Sequence, residues 1–439
     1  MQKTDPPEHW LERQFHLKAL KTSFRDEIIA GITIFLAMCY IIIVNPNILA
    51  LANMDQGSVF VATCISAAIG CLVMGIIANY PIALAPGMGL NAFFTFSVCL
   101  GMGVPWQTAL AAVFISGCLF LLTSLFKFRE ALINAIPMSL KMSIAGGVGL
   151  FLSFIALKSA GIVVASEATL VKMGDITQPS VLYAGLGLTI ILILHHFHVR
   201  GAMIISILSI TLLSTLLGHN QFHGVIGAIP SIEPTLFKLD FSGLMNASMV
   251  GVIFVFFLVD LFDSTGTLIG VTQRAGLLKN GKLPRLKRAL LADSVAIIAG
   301  ATLGTSSTTP YIESASGAAS GGRTGLTAVT VGILFLLALF LFPLASSVPA
   351  FATAPVLFFI GALMIQSILN IEWNDMTEAV PAFITLVFMP FTYSIADGIA
   401  LGFISYAVLK LGTGQAKKVP YMVWIVAILW VIKFITFGG

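Results

Sequence analysis

The segment from Gly304 to Gly325 reads GTSSTTPYIESASGAASGGRTG. It contains five Gly, five Ser, four Thr, one Pro and a single carboxylate, that of Glu313. Long apolar stretches flank it, LLADSVAIIAGATLG on one side and LTAVTVGILFLLALFLF on the other. Such a segment is either an exposed loop or irregular backbone at membrane depth, which is tolerated only where protein buries it or where it lines a cavity.

The composition decides the class of protein. The chain has 439 residues, of which 58% are hydrophobic and only 10% are charged, and its mean hydropathy is +1.00. Because soluble domains carry about a quarter charged residues, the sequence predicts a polytopic membrane protein whose main partner is the lipid bilayer. A soluble enzyme is excluded, and the net charge of +4 indicates no nucleic-acid partner.

Apolar segments long enough to span a bilayer, roughly 17–25 residues, recur along the whole chain. We place them near 28–45, 58–78, 106–126, 140–157, 180–197, 202–218, 248–270, 288–303, 326–345, 355–371, 379–411 and 420–437. The run 379–411 is long enough for two segments broken around Asp397–Gly398. Two shorter stretches, 82–100 and 305–321, are interrupted by Gly and Pro and count as broken spans. With 379–411 counted as one segment the total is fourteen, which is the number we favour.

Lys and Arg in short loops set the orientation, because cytoplasmic loops carry an excess of them. The residues assigned to the cytoplasmic side are Lys3, Arg13, Lys18, Lys21, Arg25, Lys127, Arg129, Arg200, Arg274, Lys279, Lys282, Arg285, Lys287, Arg288, Arg323, Lys417 and Lys418. The opposite side holds mainly Lys158, Lys172 and Lys238. Residues 1–27 then form a cytoplasmic N-terminal segment, and both termini are expected in the cytoplasm, which requires an even number of spans.

The two halves of the chain have the same number and order of segments. Seven segments precede about residue 240 and seven follow it, and the interrupted segment is third in each half. An odd number of segments per half predicts an inverted repeat, which is common in secondary transporters, and paired interrupted segments mark the transport site. The comparison favours membrane-depth backbone over an exposed loop for Gly304–Gly325.

The first interrupted segment, Asn79–Phe96, reads NYPIALAPGMGLNAFFTF. Pro81 and Pro86 forbid a continuous helix. We predict a short extended run at 82–85 and a helix that starts near Met88.

The second interrupted segment follows the same plan. We predict an extended piece at Ser306–Thr309, Pro310 in a first helical turn and a half-helix beginning at Tyr311–Gly317. The free N–H groups at the starts of the two half-helices would then face a cavity near the midplane. Such groups suit the carbonyl oxygens and ring nitrogens of a polar solute.

Four acids lie inside the predicted spans of the second half: Asp260, Asp263, Asp293 and Glu313. A carboxylate at mid-bilayer costs at least a few kcal/mol, so it normally faces a cavity or a partner. Asp260 and Asp263 are three residues apart and share a helix face. Because burial and mutual repulsion disfavour the charged forms of these acids, proton binding is the expected coupling event. Asp293 is close in sequence to basic residues, which favours a structural pair or a role in gating.

Structural interpretations remain open for several of these residues. Asp263 could satisfy neighbouring backbone groups, and Asp260 could bind another helix. Asn91 has donors and acceptors suited to the edge of a base, but it could instead cap its half-helix. Aromatic rings that could stack on a planar solute, or simply face lipid or core, are Phe93, Phe94 and Phe262.

Other classes of activity have weaker support. His195, His196 and His198 lie at a span end, where an interfacial cluster is favoured over a metal site, and we predict no metal. The chain has no phosphate-binding loop, and it shows no nucleophile–base pair typical of an enzyme. A channel would need a continuous polar pore, whereas the polar groups concentrate around the two breaks.

Four motifs, taken together, resemble one family. They are ALAPGMGLNAFF (83–94), VDLFDSTGTLIGVT (259–272), GTSSTTPYIESASG (304–317) and GGRTGLTAV (321–329). The chain resembles the nucleobase–cation (nucleobase–ascorbate) transporter family, and within it the AzgA-like hypoxanthine/adenine/guanine permeases. The stretches 29–49 and 378–406 fit as well, so that the resemblance covers essentially the whole chain.

The resemblance implies an all-α architecture of fourteen segments as a seven-plus-seven inverted repeat. The first repeat is 28–240, with a core part (28–126) and a gate part (127–240); the second is 241–439, with core 241–347 and gate 348–439. It also implies uptake of purine nucleobases across a bacterial inner membrane, coupled to protons and without other cofactors. The core would move against the gate in an elevator-like mechanism, and a homodimer formed through the gate is compatible with it.

The resemblance also assigns roles to residues. By motif match, Asp260, Asp263 and Glu313 take the acidic positions of spans 8 and 10. Similar bacterial members carry Asn at the position of Asp260, so Glu313 and Asp263 rank above it. The remaining expected site residues are Asn91 (span 3), Asp293 (span 9, gating), Thr309, Phe94 and Phe262. The alternative is a uracil, xanthine or anion carrier on the same architecture.

Overall fold

The computed structural model describes residues 10–125, 136–245, 247–277 and 283–437. Five basic residues used above to orient the chain lie outside these ranges, namely Lys3, Lys127, Arg129, Lys279 and Lys282, as does the expected core–gate boundary at 126/127. The described chain is mostly helical, and nine of its helices are long and apolar enough to cross a membrane. At this level the predicted fold class is confirmed.

The helices and strands are numbered in chain order. The helices before residue 240 are α1 (Trp10–Phe15), α2 (Phe24–Met38), α3 (Ile41–Ala50), α4 (Gln56–Val73), α5 (Met88–Ala92), α6 (Trp106–Leu125), α7 (Met138–Ser159), α8 (Pro179–His196) and α9 (Ala202–Leu216). Those after it are α10 (Ala247–Arg274), α11 (Leu286–Leu303), α12 (Ser314–Ala319), α13 (Gly325–Ala338), α14 (Phe342–Ser346), α15 (Ala350–Met364), α16 (Met376–Phe391), α17 (Ile395–Gly412) and α18 (Tyr421–Phe437). The strands are β1 (Leu84–Pro86), β2 (Val163–Ser166), β3 (Leu170–Met173) and β4 (Thr308–Pro310).

Wider and tighter helical turns extend several of these elements. Met74–Ala78 and Phe93–Gly101 are π-helical continuations of α4 and α5. Short 3₁₀ turns occupy Ser242–Met245, Leu339–Leu341, Ile365–Asn370 and Ala416–Lys418. The hairpin of β2 and β3 is a local addition that the hydrophobic pattern did not predict.

The two interrupted segments meet through β1 and β4. These strands pair antiparallel, with Ala85 opposite Thr309. The backbone N–H of Gly87 donates to the carbonyl of Ser307 at 2.9 Å, and that of Tyr311 donates to the carbonyl of Ala83 at 2.9 Å. The fold therefore joins the two matching breaks directly, although they are more than two hundred residues apart in the chain.

The strands lie slightly later than the sequence predicted. Extended backbone was expected at 82–85 and 306–309, whereas the strands end at Pro86 and Pro310. The placement of Pro310 in a first helical turn was wrong, because it pairs with Leu84 and α12 begins only at Ser314. Proline has no N–H to donate, and the end of a short two-stranded pair is a position that tolerates this.

The first span is also interrupted. The sequence predicted one segment from residue 28 to 45, but the helix begins at Phe24, capped by Ser23, and breaks at Cys39 and Tyr40 before α3 continues to Ala50. Ser23 accepts a hydrogen bond from the Asp26 N–H, as helix-capping serines do. Tyr40 lies at this break, between α2 and α3.

A second break was predicted in the wrong place. The run 379–411 divides at 392–394, between α16 and α17, and not at Asp397–Gly398. Ser394 determines the division, because its side chain accepts the Asp397 N–H at 3.2 Å and so caps α17. Asp397 and Gly398 therefore lie within the first turn of that helix.

Helix packing divides the chain into two groups. In one group α6 packs on α11, and α13 packs on both α2 and α4. In the other group α7 packs on α15 and α16, and α16 on α17. The paired strands lie within the first group, where β1 packs on α4 and β4 on α10 and α11.

Candidate functional site

Glu313 lies at the meeting point of three elements. It follows β4 and directly precedes α12, and its side chain is partly buried. The hydroxyl of Tyr40, which is 1% exposed, donates to Glu313 Oε1 at 2.9 Å. The hydroxyl of Tyr311 donates to the carbonyl of Pro86 at 2.5 Å, so that β1 is held beside the same carboxylate. These hydrogen bonds hold the Glu313 side chain and the backbone beside it in place.

Asp263 lies in the same part of the fold as Thr309 but differs from it in exposure. Asp263 is an exposed residue, whereas Thr309, whose hydroxyl donates to Asp263 Oδ2 at a long 3.4 Å, is 1% exposed. Thr309 stands four residues before Glu313, so its contact ties Asp263 to the segment that carries Glu313. These three residues form the part of the predicted site that the structure brings together.

An accessible stripe continues from Asp263 along α10. Gly266 and Gln273 are exposed and Gly270 is partly exposed, at spacings of three and four residues that place them on one helix face. A Cβ added at Gly266 would meet no atom within 4 Å. Two of these three residues are glycines, so this face of α10 carries little side-chain bulk beyond Asp263.

Asp260 has different surroundings from Asp263. Its side chain is fully buried, and Oδ1 accepts the hydroxyl of Ser307 at 2.6 Å. The prediction that both acids share a helix face agrees with the single helix α10. Only Asp263, however, is an exposed residue, so the two acids have different access to a solute.

The residues that lead into β4 are each held by a different polar side chain. The amide of Asn45 donates to the hydroxyl of Thr305 at 2.9 Å. The hydroxyl of Ser306 donates to Asn91 Oδ1. Together with the bonds from Ser307 to Asp260 and from Thr309 to Asp263, these contacts form a polar ladder along residues 305–309.

The polar ladder bears on the open alternatives for Asn91. Its side chain is fully buried and binds Ser306 of the other broken segment, so it does not cap its own half-helix. The backbone N–H of Asn91 donates to the carbonyl of Gly87 at 2.8 Å. Asn91 therefore links the two breaks through its side chain.

The expectation of free N–H groups at the start of the second half-helix was wrong for three positions. The N–H groups of Ser314, Ala315 and Ser316 donate to the carbonyls of residues 311, 312 and 313 in tight turns. The turn between β4 and α12 uses these donors, because the backbone forms hydrogen bonds between residues three apart before the helix begins. Recognition at this end consequently depends more on side chains than the sequence suggested.

The predicted stacking rings differ in accessibility. Phe94 is fully buried, and Phe93 packs edge-on against Phe256 with ring centroids 4.8 Å apart. Phe262 is only partly buried against the main core and is adjacent to Asp263 in the chain. Of the expected rings, Phe262 is therefore the one with partly accessible surface.

Asp293 lies within α11, and Arg323 lies between α12 and α13. Asp293 is fully buried in α11, about two turns from Gly300, where that helix packs against Thr308. A guanidinium nitrogen of Arg323 donates to the carbonyl of Ala318 at 2.5 Å and so binds the C-terminal end of α12. A cation stabilises that end of a helix, so Arg323 anchors the end of α12.

Two site features were missed by sequence reasoning. Tyr40 stands in the apolar run MCYIII, where a tyrosine hydroxyl needs a polar partner once it is buried. Ser307 is one of many Ser and Thr in its segment, and nothing in the sequence distinguishes it.

Glu27 was predicted to lie in the cytoplasmic N-terminal segment. It is instead fully buried and accepts the N–H of Arg323 at 2.8 Å.

Comparisons with known proteins give consistent results. The profile of a family described as "Permease family", Xan_ur_permease, matches residues 25–401. The adenine permease AdeP of Escherichia coli (strain K12) is 50% identical over 426 residues, which cover 97% of this chain and 96% of the relative. The guanine/hypoxanthine permease PbuO of Bacillus subtilis (strain 168) is 45% identical over 427 residues, covering 95% of this chain and 99% of the relative.

A solved structure shares the fold. The transmembrane domain of a cyanobacterium bicarbonate transporter, BicA, superposes with a TM-score of 0.64 at 14% sequence identity. The match covers 85% of this chain and 96% of that domain. At this identity the likeness shows the fold alone.

Proposed function

The chain belongs to this permease family, and from that premise we propose that it is a secondary transporter of purine nucleobases of the adenine, hypoxanthine and guanine class. It is a permease and not an enzyme. The observation that carries the proposal is the placement of two carboxylates, Glu313 and Asp263, beside paired strands that interrupt two spans. The names of the relatives, which are permeases for adenine and for guanine and hypoxanthine, support the substrate class.

The chemistry of a purine fits these carboxylates. Its ring N–H groups are donors, and a carboxylate accepts several hydrogen bonds. Glu313 serves as the anchor and Asp263 as the second acceptor, with Thr309 between them. Phe262 would stack on the planar ring. We assign Asn91 and Asp260 to holding β4 in place, because both are fully buried and bound to serines of the polar ladder.

Protons are the proposed coupling ions. An anion is expensive to carry through the membrane, so protonation of Glu313 or Asp263 would let the loaded site cross. Asp293 is proposed to act in gating from within α11. If the proposal holds, a protonophore that collapses the proton gradient abolishes purine accumulation. Accumulation that continues unchanged would contradict the coupling.

The proposed movement is a shift of the core against the gate. The division of the helices into two packing groups supports it, since the helices named in one group fall, apart from the first turn of α2, within the residues expected for the core (28–126, 241–347) and those named in the other within the residues expected for the gate (127–240, 348–439). Disulfide cross-links between cysteines placed across the two groups should stop uptake, and their reduction should restore it. Full uptake by a completely cross-linked protein would contradict an elevator-like step.

The architecture is proposed as a seven-plus-seven inverted repeat of fourteen segments. The pairing of two matching strand–helix breaks supports it. An even count places both chain ends in the cytoplasm, so a reporter that is active only in the cytoplasm should work when fused after Gly439. Activity of a reporter that works only outside the cell membrane would contradict the even count.

Substrate competition separates the proposal from its alternative. Radiolabelled adenine, hypoxanthine and guanine are offered to a host that lacks its own purine permeases, with unlabelled uracil, xanthine and sulfate as competitors. Purine uptake that resists uracil and sulfate is expected. Carboxylates at the site disfavour an anionic solute, and dominant competition by sulfate would favour the anion carrier.

A further inference from the structure

A groove of about 440 Å³ lies beside the N-terminal helix α1. It forms where α1 packs against the end of the α4 segment and the start of α13. Its walls are mainly apolar and its rim carries a cation. The residues that matter here are Phe15, Ile76, Leu326 and Val329 in the walls and Trp10 and Arg13 at the rim.

Hydrogen bonds hold the walls of the groove together. The Gln14 amide donates to the carbonyl of Ile76 at 2.7 Å. The Asn79 amide donates to the carbonyl of Phe15 at 3.1 Å, and its Oδ1 accepts the Gly325 N–H at 2.6 Å. Asn79 therefore fastens the short helix α1 to both spans, and the groove is a built feature of the fold.

The groove opens onto a surface that faces lipid. Ile76 and Ile77 are 49% and 47% exposed at the end of one spanning helix. On α13, Ile333 and Leu337 follow Val329 at four-residue intervals and are 50% and 58% exposed. Exposed apolar side chains on a spanning helix face acyl chains. A chain lying in the groove would continue along this face of α13.

The rim has the chemistry of a membrane interface. Trp10 is 65% exposed and Arg13 is exposed beside it. Trp and Arg are enriched at the level of lipid headgroups, and basic residues there attract anionic lipids. From Trp10 to Arg25 the chain contains four basic residues and one acid, Glu12, which accepts the backbone N–H of Lys18 at 3.0 Å.

We propose that this groove binds an anionic phospholipid. One acyl chain packs against Ile76, Leu326 and Val329, and the phosphate binds the guanidinium of Arg13. Residues 1–9, MQKTDPPEH, directly precede α1 in the chain and are the competing occupant. That segment has Met1 as its one large apolar residue, so its composition does not suit an apolar groove.

Brominated lipids test the proposal in nanodiscs. Bromine on acyl chains quenches nearby tryptophan, and the difference between the protein and Trp10→Phe isolates the signal of Trp10. The nanodiscs contain phosphatidylcholine with a minor fraction of phosphatidylglycerol. In one sample the phosphatidylglycerol is brominated, and in the other the same mole fraction of phosphatidylcholine is brominated instead. We expect brominated phosphatidylglycerol to be enriched about fivefold at Trp10, the factor for one basic residue near an anionic lipid.

Two variants test whether the preference for phosphatidylglycerol arises at the groove. Arg13→Gln should make the two brominated lipids quench Trp10 equally. Arg25→Gln, an exposed basic residue that does not line the groove, should keep the preference. Both positions are on the surface, so neither change threatens folding.

Three results would overturn the proposal. Equal quenching by the two lipids in the unmodified protein would mean that the groove does not select an anionic headgroup. Loss of the preference on adding millimolar inorganic phosphate would assign Arg13 to free phosphate. Quenching that appears only after deletion of residues 1–9 would assign the groove to that segment.

Discussion

The hydroxyl of Tyr40 donates a hydrogen bond of 2.9 Å to Oε1 of Glu313, and so joins the break in the first span to the start of α12. The two residues are 273 positions apart in the chain. A carboxylate can accept several hydrogen bonds, so this one orients Glu313 while leaving capacity for a substrate N–H. Tyr40 thereby becomes a positioning residue for the proposed anchor.

Replacing Tyr40 by Phe tests the positioning role. A hydrogen bond to a charged group contributes about 1.5–3 kcal/mol, and about 1.4 kcal/mol corresponds to a tenfold change. We expect Tyr40→Phe to raise the KM for purine uptake by at least about tenfold with a smaller change in maximal rate. Tyr183→Phe is the matched control, because its hydroxyl binds His219 at 2.8 Å in a different part of the fold. An unchanged KM in Tyr40→Phe would contradict the positioning role.

Substitutions at Asp260 test whether this residue holds β4 in place or binds the substrate. In Asp260→Asn the amide oxygen can still accept the Ser307 hydroxyl, so we expect uptake to persist. In Asp260→Ala the buried Ser307 hydroxyl loses its acceptor, which costs about 1–3 kcal/mol, and uptake should fall by about tenfold or more. Uptake and the amount of folded protein are measured together for both variants. Equal loss in both would show that the negative charge itself is required.

The contact between Gly75 and Gly325 predicts a folding defect. A Cβ added at Gly325 would lie 1.9 Å from the carbonyl oxygen of Gly75, and backbone cannot rotate away as a side chain can. Overpacking of this kind costs about 1–3 kcal/mol or more. Gly325→Ala should reduce the yield of monodisperse protein, measured by fluorescence-detected gel filtration. Gly185→Ala, where an added Cβ meets nothing within 4 Å, should match the unmodified yield. Normal yield of Gly325→Ala would show that the helices can separate there.

Lys410 forms a buried ion pair in the second packing group. It is 3% exposed, and its Nζ lies 2.8 Å from Glu378 Oε1. Removing one partner of a buried pair typically costs about 3–5 kcal/mol, so Lys410→Met should lower the thermal midpoint of the purified protein. Adding Glu378→Gln to that variant should restore part of the loss, because the carboxylate that remains near Lys410, that of Asp375 at 3.8 Å, is much more exposed than that of Glu378. The exposed Lys417→Met is the control, and an unchanged midpoint for Lys410→Met would contradict the ion-pair assignment.

The two membrane-depth breaks could be predicted from sequence for a physical reason. Pro and Gly within apolar runs rule out a continuous helix locally, and Pro81, Pro86 and Pro310 are visible without knowledge of the fold. The exact strand residues could not be predicted in the same way. They depend on the pairing of Ala85 with Thr309, which is a contact between distant parts of the chain.

The hydrogen-bond partners of the site residues could not be predicted either, because they too come from distant parts of the chain. Asn91 and Ser306 are 215 positions apart, and Asn45 and Thr305 are 260 apart. Residue types at such separations carry no local pattern from which a contact can be read. The acids Asp263 and Glu313 were found because charge inside an apolar span is costly wherever it occurs, and this signal does not depend on the partner.

The most direct test of the central claim is purine uptake by the Glu313→Ala variant in a host that lacks its own purine permeases. Labelled adenine and hypoxanthine are offered to cells with the unmodified protein, Glu313→Ala or Glu167→Ala, an exposed glutamate control. We expect strong uptake by the unmodified protein and by Glu167→Ala. Glu313→Ala should lose roughly 10- to 100-fold in uptake efficiency, the range for removing a charged hydrogen-bond partner. Normal affinity and rate in Glu313→Ala, at equal membrane abundance, would contradict the assignment of Glu313 as the purine anchor.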